Sequence, residues 1–202
     1  MPWDESGVWL DGTINQQFYQ ELLDDAKSKP ERDAKKKRLV HPEEMPWEMS
    51  KQGLLKHVVN EKMNTLVESL DIYMQIIPGG SRSGKHRHLA EEAFYVIEGK
   101  GYDLHWDCDV EISDRYYWHP QETPQRFEWE AGDMVYIPPN TIHQHFNADP
   151  EKPVRFLSAI NRIYEKYGLN DLEQIENAPE YEPGVVLTPD KVREYLERAV
   201  KK

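Results

Sequence analysis

The feature that most constrains the fold is a series of short apolar runs between Leu54 and Ile160. They are rich in β-branched and aromatic residues, several alternate apolar with polar side chains, and turns containing Gly or Pro separate them. The runs are LLKHVV, LVESLDIYMQII, EAFYVIEGKGYDLHW, RFEWEAGDMVYI and VRFLSAI. This pattern is typical of a half-buried antiparallel sheet or barrel, so we predict an all-β fold for this part of the chain.

The sequence on either side of these runs predicts helical extensions. Near the N-terminus, INQQFYQELLDDAKSK can form a short amphipathic helix with Phe18, Leu22 and Leu23 on one side. Near the C-terminus, Thr188 suits a helix N-cap and Pro189 suits the first helical position. We predict three segments: an N-terminal helical or irregular extension (1–52), a β-barrel domain (53–161) and a C-terminal helical extension (162–202).

The acidic composition limits the classes of partner. The formal net charge is −12 over 202 residues, so no domain-wide basic face is available to offset the charge of phosphates. The single cysteine, Cys108, allows no internal disulfide and favours a reduced compartment. Neither a signal peptide nor an apolar run long enough for a membrane helix is visible. We therefore predict a cytoplasmic protein with no nucleic-acid and no membrane partner.

A closely spaced histidine pair predicts a metal site. His86 and His88 stand at i and i+2, so on a strand both side chains point to the same side. Glu92 has the same parity if the chain stays extended, but a turn could equally deliver Glu91. Imidazole nitrogens bind first-row divalent metals well, and a carboxylate adds negative charge to such a site.

A second pair follows a Pro-Pro-Asn turn. His143 and His145 again stand at i and i+2. Two histidine-bearing hairpins that face each other across a small barrel would bring three imidazoles and a carboxylate around one point. The two pairs together therefore predict a single centre inside the barrel.

The intervals around both pairs resemble the two signature motifs of the cupin superfamily. The first segment reads glycine, five residues, His-x-His, three residues, Glu, six residues, glycine, from Gly80 to Gly99. The second reads glycine, five residues, Pro-x-Asn, two residues, His, three residues, Asn, from Gly132 to Asn147. Asn140 stands where the superfamily usually has glycine, but asparagine tolerates a positive φ better than most residues. The resemblance covers about residues 54–160.

The resemblance implies a fold and a set of ligands. The fold would be the cupin double-stranded β-helix, a jelly-roll barrel of six to eight strands, with helical extensions at both ends. The metal would lie inside the barrel, bound by His86, His88, Glu92 and His143. The other histidines outside the two pairs lack this context and are assigned no metal: His41, His57, His105 and His119.

A closer local resemblance bears on the reaction. HRH, VIEGKG and the later HQHFN look like segments of gentisate-type ring-cleaving dioxygenases, which implies Fe(II) and O₂. An octahedral metal with four protein ligands keeps two positions open, enough for a bidentate substrate or for substrate and O₂. We predict an Fe(II) dioxygenase for a small aromatic or enolisable organic acid, with Mn, Ni or Zn as alternative metals. The alternatives are a non-oxidative isomerase, decarboxylase or lyase, and a non-catalytic cupin that binds a small molecule.

Further site residues follow from strand parity. His145 shares the inward face with His143 and is a candidate proton shuttle, while Arg82 is a candidate partner for a substrate carboxylate. The predicted substrate pocket is walled by Phe94 and Val96, with a polar contact from Tyr73 or Gln75. The parity of the preceding strand does not decide which of these two faces inward.

The segment between the motifs predicts an interface. It is long and rich in Trp and Tyr, and aromatic residues are enriched where proteins associate. An extended hairpin here would cover the barrel mouth or pack on a second subunit. We predict a homodimer.

Overall fold

The computed structural model describes residues 12–169 and 172–198. They fall into two units, which divide between Lys36 and Lys37. The first unit contains helix α1 (Phe18–Ala34), and none of the residues of this helix is buried. The N-terminal helix predicted from the sequence is therefore confirmed.

The second unit is built mainly from strands. They are β1 (Trp47–Ser50), β2 (Gly53–Val59), β3 (Leu70–Ile77), β4 (Lys85–His88), β5 (Glu92–Glu98), β6 (Lys100–Trp106), β7 (Cys108–Ile112), β8 (Tyr116–Pro120), β9 (Gln125–Glu130), β10 (Met134–Ile137), β11 (Ile142–Asn147), β12 (Val154–Asn161) and β13 (Leu172–Glu176). One sheet has the order β1-β2-β3-β12-β5-β10 and the other β13-β4-β11-β6-β9, while β7 and β8 form a separate ribbon. The two larger sheets pack face to face as the predicted jelly-roll barrel.

The sheets are wider than the resemblance implies, with six and five strands. Strands β1 and β13 add to this width because they pair antiparallel with β2 and β4 at the sheet edges. Both lie outside residues 53–161, the range predicted for the barrel domain. The boundaries predicted at 52/53 and 161/162 stay predictions.

The interior follows the period-2 alternation of the strands. Along β12, Val154, Phe156, Ser158 and Ile160 are buried and the residues between them are partly exposed. One apolar cluster fills one end of the barrel: Ile77, Phe94, Val96, Trp129, Ile137, Val154 and Phe156. A smaller cluster lies towards the other end: Leu55, Tyr73, Ala90 and Ile160.

Asn140 retains the turn that the superfamily builds with glycine. Its φ is +62°, in the left-handed region that asparagine tolerates. Its backbone N–H donates to the carbonyl of His88 at 2.9 Å, so the turn before β11 is tied to the end of β4. The departure from the motif therefore leaves the local geometry intact.

The remaining elements are short. Two 3₁₀ turns (Pro42–Glu44 and Glu61–Met63) and the helices α2 (Ile163–Lys166) and α3 (Pro189–Arg198) complete the described chain. The helical extensions predicted at both ends are confirmed. No helix among the described residues is both long and apolar enough to cross a membrane.

The ribbon β7–β8 is the predicted hairpin between the motifs. Register pairs Val110 with Trp118 and Ile112 with Tyr116, so these four side chains share one face, and all four are exposed. The homodimer that the aromatic residues suggested stays a prediction.

Candidate metal centre

Four buried side chains meet where β4 ends and β5 begins. His86 and His88 come from β4, Glu92 opens β5, and His143 lies on β11 directly opposite His86 in the register. Each is at most 4% exposed. One potential ligand atom from each lies within 4.8 Å of those of the others. Glu91, the alternative carboxylate, is instead exposed and accepts a hydrogen bond from Tyr136 at 3.0 Å.

Backbone carbonyls orient two of the imidazole rings. His88 Nδ1 lies 2.6 Å from the carbonyl oxygen of Ala90, and His143 Nδ1 lies 2.9 Å from that of Thr141. A nitrogen that donates to a carbonyl leaves the other ring nitrogen as the free ligand atom. In both rings this nitrogen, Nε2, faces Glu92 Oε2, at 3.0 Å for His88 and 3.7 Å for His143.

Two hydroxyl groups hold the second oxygen of Glu92. Tyr73 on β3 donates to Oε1 at 2.9 Å, and Ser158 on β12 also donates to it. The two oxygens therefore have different partners, because Oε1 faces the hydroxyls of the larger sheet and Oε2 faces the histidines of the other sheet. This arrangement suits a carboxylate that would bind a metal through one oxygen.

The electrostatics keep the cluster in a state that can bind a cation. Burial opposes the charge of Glu92, but the neighbouring imidazoles of His143 and His88 outweigh it and hold the pKa of Glu92 well below the usual value. Burial lowers the pKa of His86 well below its usual value, and the neighbouring imidazoles act in the same direction. Burial also lowers the pKa of His143, to about 4. An ionised carboxylate and neutral imidazoles are the forms that bind metals.

Buried ring nitrogens without a hydrogen-bond partner indicate whether a metal fits this cluster. Among the described residues, His86 Nδ1 and His143 Nε2 are buried and have no hydrogen-bond partner. Buried polar atoms nearly always have a partner, so orphaned nitrogens at a cluster of potential ligands point to a missing cation. Three imidazoles and one carboxylate fit a first-row divalent metal, and the four residues could hold one.

An acidic residue that the sequence analysis did not select organises the next part of the site. Asp103 on β6 is fully buried and lies 2.9 Å from His145 Nδ1, 3.2 Å from His105 Nε2 and 2.8 Å from Trp129 Nε1, whose N–H it accepts. Burial opposes its ionisation, but His145, His105 and Trp129 together lower its pKa to about 2.

The sequence carried a weak signal for this group. Asp103 and His105 stand at i and i+2 on a predicted strand, so they share a face. Only the pairing of β6 with β11 brings them beside His143 and His145. The sequence predicts no metal-binding role for His105. In the structure it lies opposite His143 in the register of β6 and β11, with ring centroids 6.2 Å apart.

His145 is buried against aromatic rings. Its ring centroid lies 4.9 Å from that of Phe94 and 5.1 Å from that of Phe156. Burial lowers its pKa, but the Asp103 carboxylate outweighs this and raises the pKa above the usual value. Its Nε2 is buried without a partner among the described residues. The catalytic role predicted for it stays a prediction.

The other predicted site residues lie in different environments. Arg82 is exposed and forms an isolated bridge with Phe146, so it lies outside the cluster. Gln75 is buried and donates to the carbonyl of Gln52 at 2.6 Å. Phe94 and Val96 are fully buried in the larger apolar cluster. Of Tyr73 and Gln75, only Tyr73 has a hydrogen bond to the metal cluster, and the pocket roles of all four stay predictions.

Comparisons with known proteins agree with the fold. An auxin-binding protein of Nicotiana tabacum, T85, is 26% identical over 96 residues, which cover 48% of this chain and 48% of that protein. An uncharacterized protein of Methanocaldococcus jannaschii is 31% identical over 102 residues, covering 50% of this chain and 65% of that protein. The chain thus spans about half the length of the tobacco relative.

The solved structure of vicilin from Corylus avellana superposes with a TM-score of 0.50. It covers 67% of this chain and 36% of its own, at 14% sequence identity, and so bears on the fold alone. The family model of the cupin domain, Cupin_2, matches residues 72–160. These residues include both motifs and all four members of the metal cluster, so the match falls on the part of the chain whose motifs resemble those of cupins.

Proposed function

We propose that this protein is a metal-dependent enzyme, an Fe(II) dioxygenase that acts on a small aromatic or enolisable organic acid and O₂, and that it works as a homodimer. The observation that carries the proposal is the cluster of His86, His88, Glu92 and His143, buried and with two orphaned nitrogens. A carboxylate and three imidazoles leave open positions on an octahedral metal. Open positions are what a catalytic metal needs.

The residues of the site have different proposed roles. An iron ion, when bound, would supply Lewis-acid and redox chemistry at this position. Such an ion would be bound by His86, His88 and His143. The hydroxyls of Tyr73 and Ser158 orient Glu92 so that its Oε2 faces the histidines. The barrel interior excludes bulk water from the cluster, because each of its members is almost fully buried.

His145 is the proposed proton carrier. Its Nδ1 is held by Asp103 at 2.9 Å, which leaves Nε2 as the atom that gives or accepts a proton. The ring lies 5.5 Å from the ring of His143, between centroids, and is therefore close to the cluster. Asp103 orients the ring and stabilises its protonated form.

The test combines metal analysis with a search for O₂ uptake. Protein purified without oxygen should contain close to one iron per chain and should consume O₂ with gentisate-, catechol- or diketone-like compounds. Turnover of such a compound under strict anaerobiosis would instead establish the non-oxidative candidate, an isomerase, decarboxylase or lyase that uses Mn, Zn, Ni or Fe as a Lewis acid. The cluster favours this second candidate as well, since its ligands suit each of these metals.

A third candidate is a protein that binds a small molecule without turnover. The observation in its favour is the similarity to proteins named as auxin-binding. It predicts saturable binding of a small acid by the metal-loaded protein and no product in either atmosphere. Detection of a product from any tested acid would remove this candidate.

A further inference from the structure

The side of the larger sheet that faces away from the barrel interior is apolar across four neighbouring strands. Side chains alternate along each strand, so the residues between the buried ones on β10, β5, β12 and β3 point outward. The register places these outward residues in two rows that cross the sheet. The first row is Met134, Tyr95, Leu157 and Met74, and the second is Tyr136, Ala93, Ala159 and Ile72. We call these eight residues the outer face.

The outer face is open to solvent, most of all towards the sheet edge. Met134 is 65% exposed, Tyr136 53% and Tyr95 45%. The outward residues of β12 and β3 are half-buried, and Ile97, which follows on β5, is exposed. Single exposed apolar residues are ordinary on a protein surface, whereas a contiguous patch of several hundred Å² marks an interaction site.

Another part of the same sheet shows outward residues that the chain covers. Leu54 on β2 and Ile76 on β3 are opposite each other in the register and share the parity of the first row. They are only 0% and 7% exposed. Beside them on β1, Met49 lines a cavity together with Leu187 and Tyr195 of the C-terminal segment. The chain therefore covers one part of this sheet surface itself and leaves the two rows open.

The dimensions of the outer face suit contact with a second sheet. Strands lie about 4.8 Å apart and alternate residues about 7 Å apart, so the two rows and Ile97 span roughly 20 Å in each direction. Two such faces, with the side chains at their rims, would bury an area near the roughly 1,000 Å² in total that a specific interface needs. Sheets pack face to face at about 10 Å, with side chains interdigitating between them.

The charge of the chain favours a second copy at this face. The formal net charge is −12, so two copies repel each other over most of their surfaces. None of the eight residues of the outer face is charged. Beyond it, Arg155 donates to Glu98 at 2.8 Å, so these two charges offset each other. Charged residues are likewise depleted at the cores of known interfaces.

The two borders of the outer face carry opposite charges. On one side, Lys56 of β2 continues the first row, and its Nζ lies 5.3 Å from the ring centroid of Trp47. On the other side, Glu91 accepts a hydrogen bond from Tyr136 at 3.0 Å. A two-fold axis parallel to the strands would lay each border over the opposite border of the other copy. The basic border of each chain then faces the acidic border of its partner, which makes the surface self-complementary.

We propose that two copies of this chain associate through their outer faces, with the larger sheets packed face to face across a two-fold axis. The inference rests on the homodimer of the proposed function and names its interface. Tyr95, inside the first row, is the anchor of the contact, because aromatic side chains dominate the energetics of interfaces. The aromatic ribbon β7–β8 then lies outside the contact.

The experiment compares a charge placed on the outer face with the same charge placed elsewhere on the metal-loaded, full-length protein. Tyr95→Asp should raise the dissociation constant of the dimer by about a hundredfold or more, as expected for an interface anchor. Sedimentation velocity over a range of concentrations measures this constant. Tyr116→Asp on the ribbon and Leu22→Asp on α1 are the matched controls. Both residues are exposed, and both variants should keep the dimer.

A second measurement needs only the wild-type protein. Hydroxyl-radical labelling, detected by mass spectrometry, reports which side chains are accessible. Tyr95, Tyr136 and Met134 should react less as the protein concentration rises through the dissociation constant of the dimer. Tyr116 should react equally throughout. This comparison remains decisive if Tyr95→Asp fails to fold, which its metal content and melting temperature would reveal.

Several outcomes would overturn the inference. A protein that stays monomeric, a dimer that survives Tyr95→Asp, or labelling of the outer face that does not depend on concentration would each do so. A dimer lost only in Tyr116→Asp would assign the contact to the ribbon instead, and one lost only in Leu22→Asp would assign it to α1.

The inference and the proposed function can fail separately. A dimer that Tyr95→Asp dissociates, without O₂ uptake for any tested acid, would support the outer face and reject the dioxygenase. O₂ uptake by a protein that stays monomeric would support the dioxygenase and reject both the outer face and the homodimer.

Discussion

Along β5 the interior side chains change from Glu92 to Phe94 and Val96, and along β12 they change from Ser158 to Phe156. One end of the same barrel thus holds the polar cluster beside a small apolar cluster, and the other end is an apolar core. Both ends are almost fully buried. Position along the strand, rather than which strand is used, separates them.

This difference indicates which end of the barrel stabilises the fold and which end binds metal. At the apolar end, burial alone stabilises the fold, and each side chain contributes without any partner molecule. The polar end carries a desolvation cost that hydrogen bonds to Glu92 and Asp103 only partly offset, because some nitrogens stay unpaired. We expect changes at the apolar end to alter stability alone, and changes among the four residues of the metal cluster to alter metal binding.

The largest effect is expected from His86→Ala combined with His143→Ala. Loss of two of the four ligands should lower metal affinity by more than about a hundredfold, which exceeds the usual effect of residues behind the ligands. Added metal should then no longer raise the melting temperature. Elemental analysis and thermal unfolding measure both effects. His119→Ala, on the exposed ribbon, is the control, and a normal metal content in the double variant would reject the cluster as the metal site.

The next largest effect is expected at the apolar end. Phe156→Ala removes a fully buried ring and should lower the free energy of unfolding by about 3–5 kcal/mol, through lost burial and the cavity left behind. The number of metal ions bound per chain should not change. Denaturant unfolding and metal analysis test the two statements, with Phe18→Ala on the exposed α1 as control. A loss of metal without a loss of stability would contradict the statement that the apolar end stabilises the fold and the polar end binds the metal.

A smaller effect, with a defined pH dependence, is expected from Asp103→Asn. The carboxyl pKa is about 2 in the folded protein against an ordinary value of 3.8, so the charge stabilises the fold by about 2 kcal/mol at neutral pH. Because the folded pKa is the lower one, this contribution is present above pH 3.8 and is lost as the pH falls towards 2.

The measurement is the free energy of unfolding as a function of pH. The variant should be less stable than the wild type at pH 7, and the difference should shrink below pH 3.8. Asp114→Asn, at an exposed carboxylate on the ribbon, should change little. A difference that stays constant down to pH 2 would show that the charge of Asp103 is not what matters.

The smallest effect is expected from Tyr73→Phe. The change removes one of the two hydroxyls on Glu92 Oε1 and keeps the ring, so metal affinity should fall by about tenfold with little loss of stability. Competition with a chelator measures the affinity, and the spectrum of bound Co(II) should report the altered carboxylate. Tyr116→Phe on the ribbon is the control. An unchanged spectrum and affinity would mean that Ser158 alone orients Glu92.

Much of the fold and of the cluster could be predicted from the sequence. Alternation is a local property, so it identified the strands, and the resemblance of the motif intervals to those of cupins implied His86, His88, Glu92 and His143 before any pairing was known. The same parity argument also assigned Arg82 to the inside. The structure shows Arg82 exposed, because it lies ahead of β4 in a segment with only an isolated bridge to Phe146.

The sequence by itself predicted the strands and the two histidine pairs, and its resemblance to the cupin motifs implied the barrel and the four residues of the candidate metal site. Only the tertiary structure decided that Tyr73 and Ser158 share one oxygen of Glu92, that Asp103 joins His105 to His145, and that His57 on β2 lies opposite Tyr73. These contacts depend on which strands lie side by side, β12 beside both β3 and β5, β6 beside β11 and β2 beside β3. Neighbours of this kind are set by the packing of distant segments, and no local pattern encodes them.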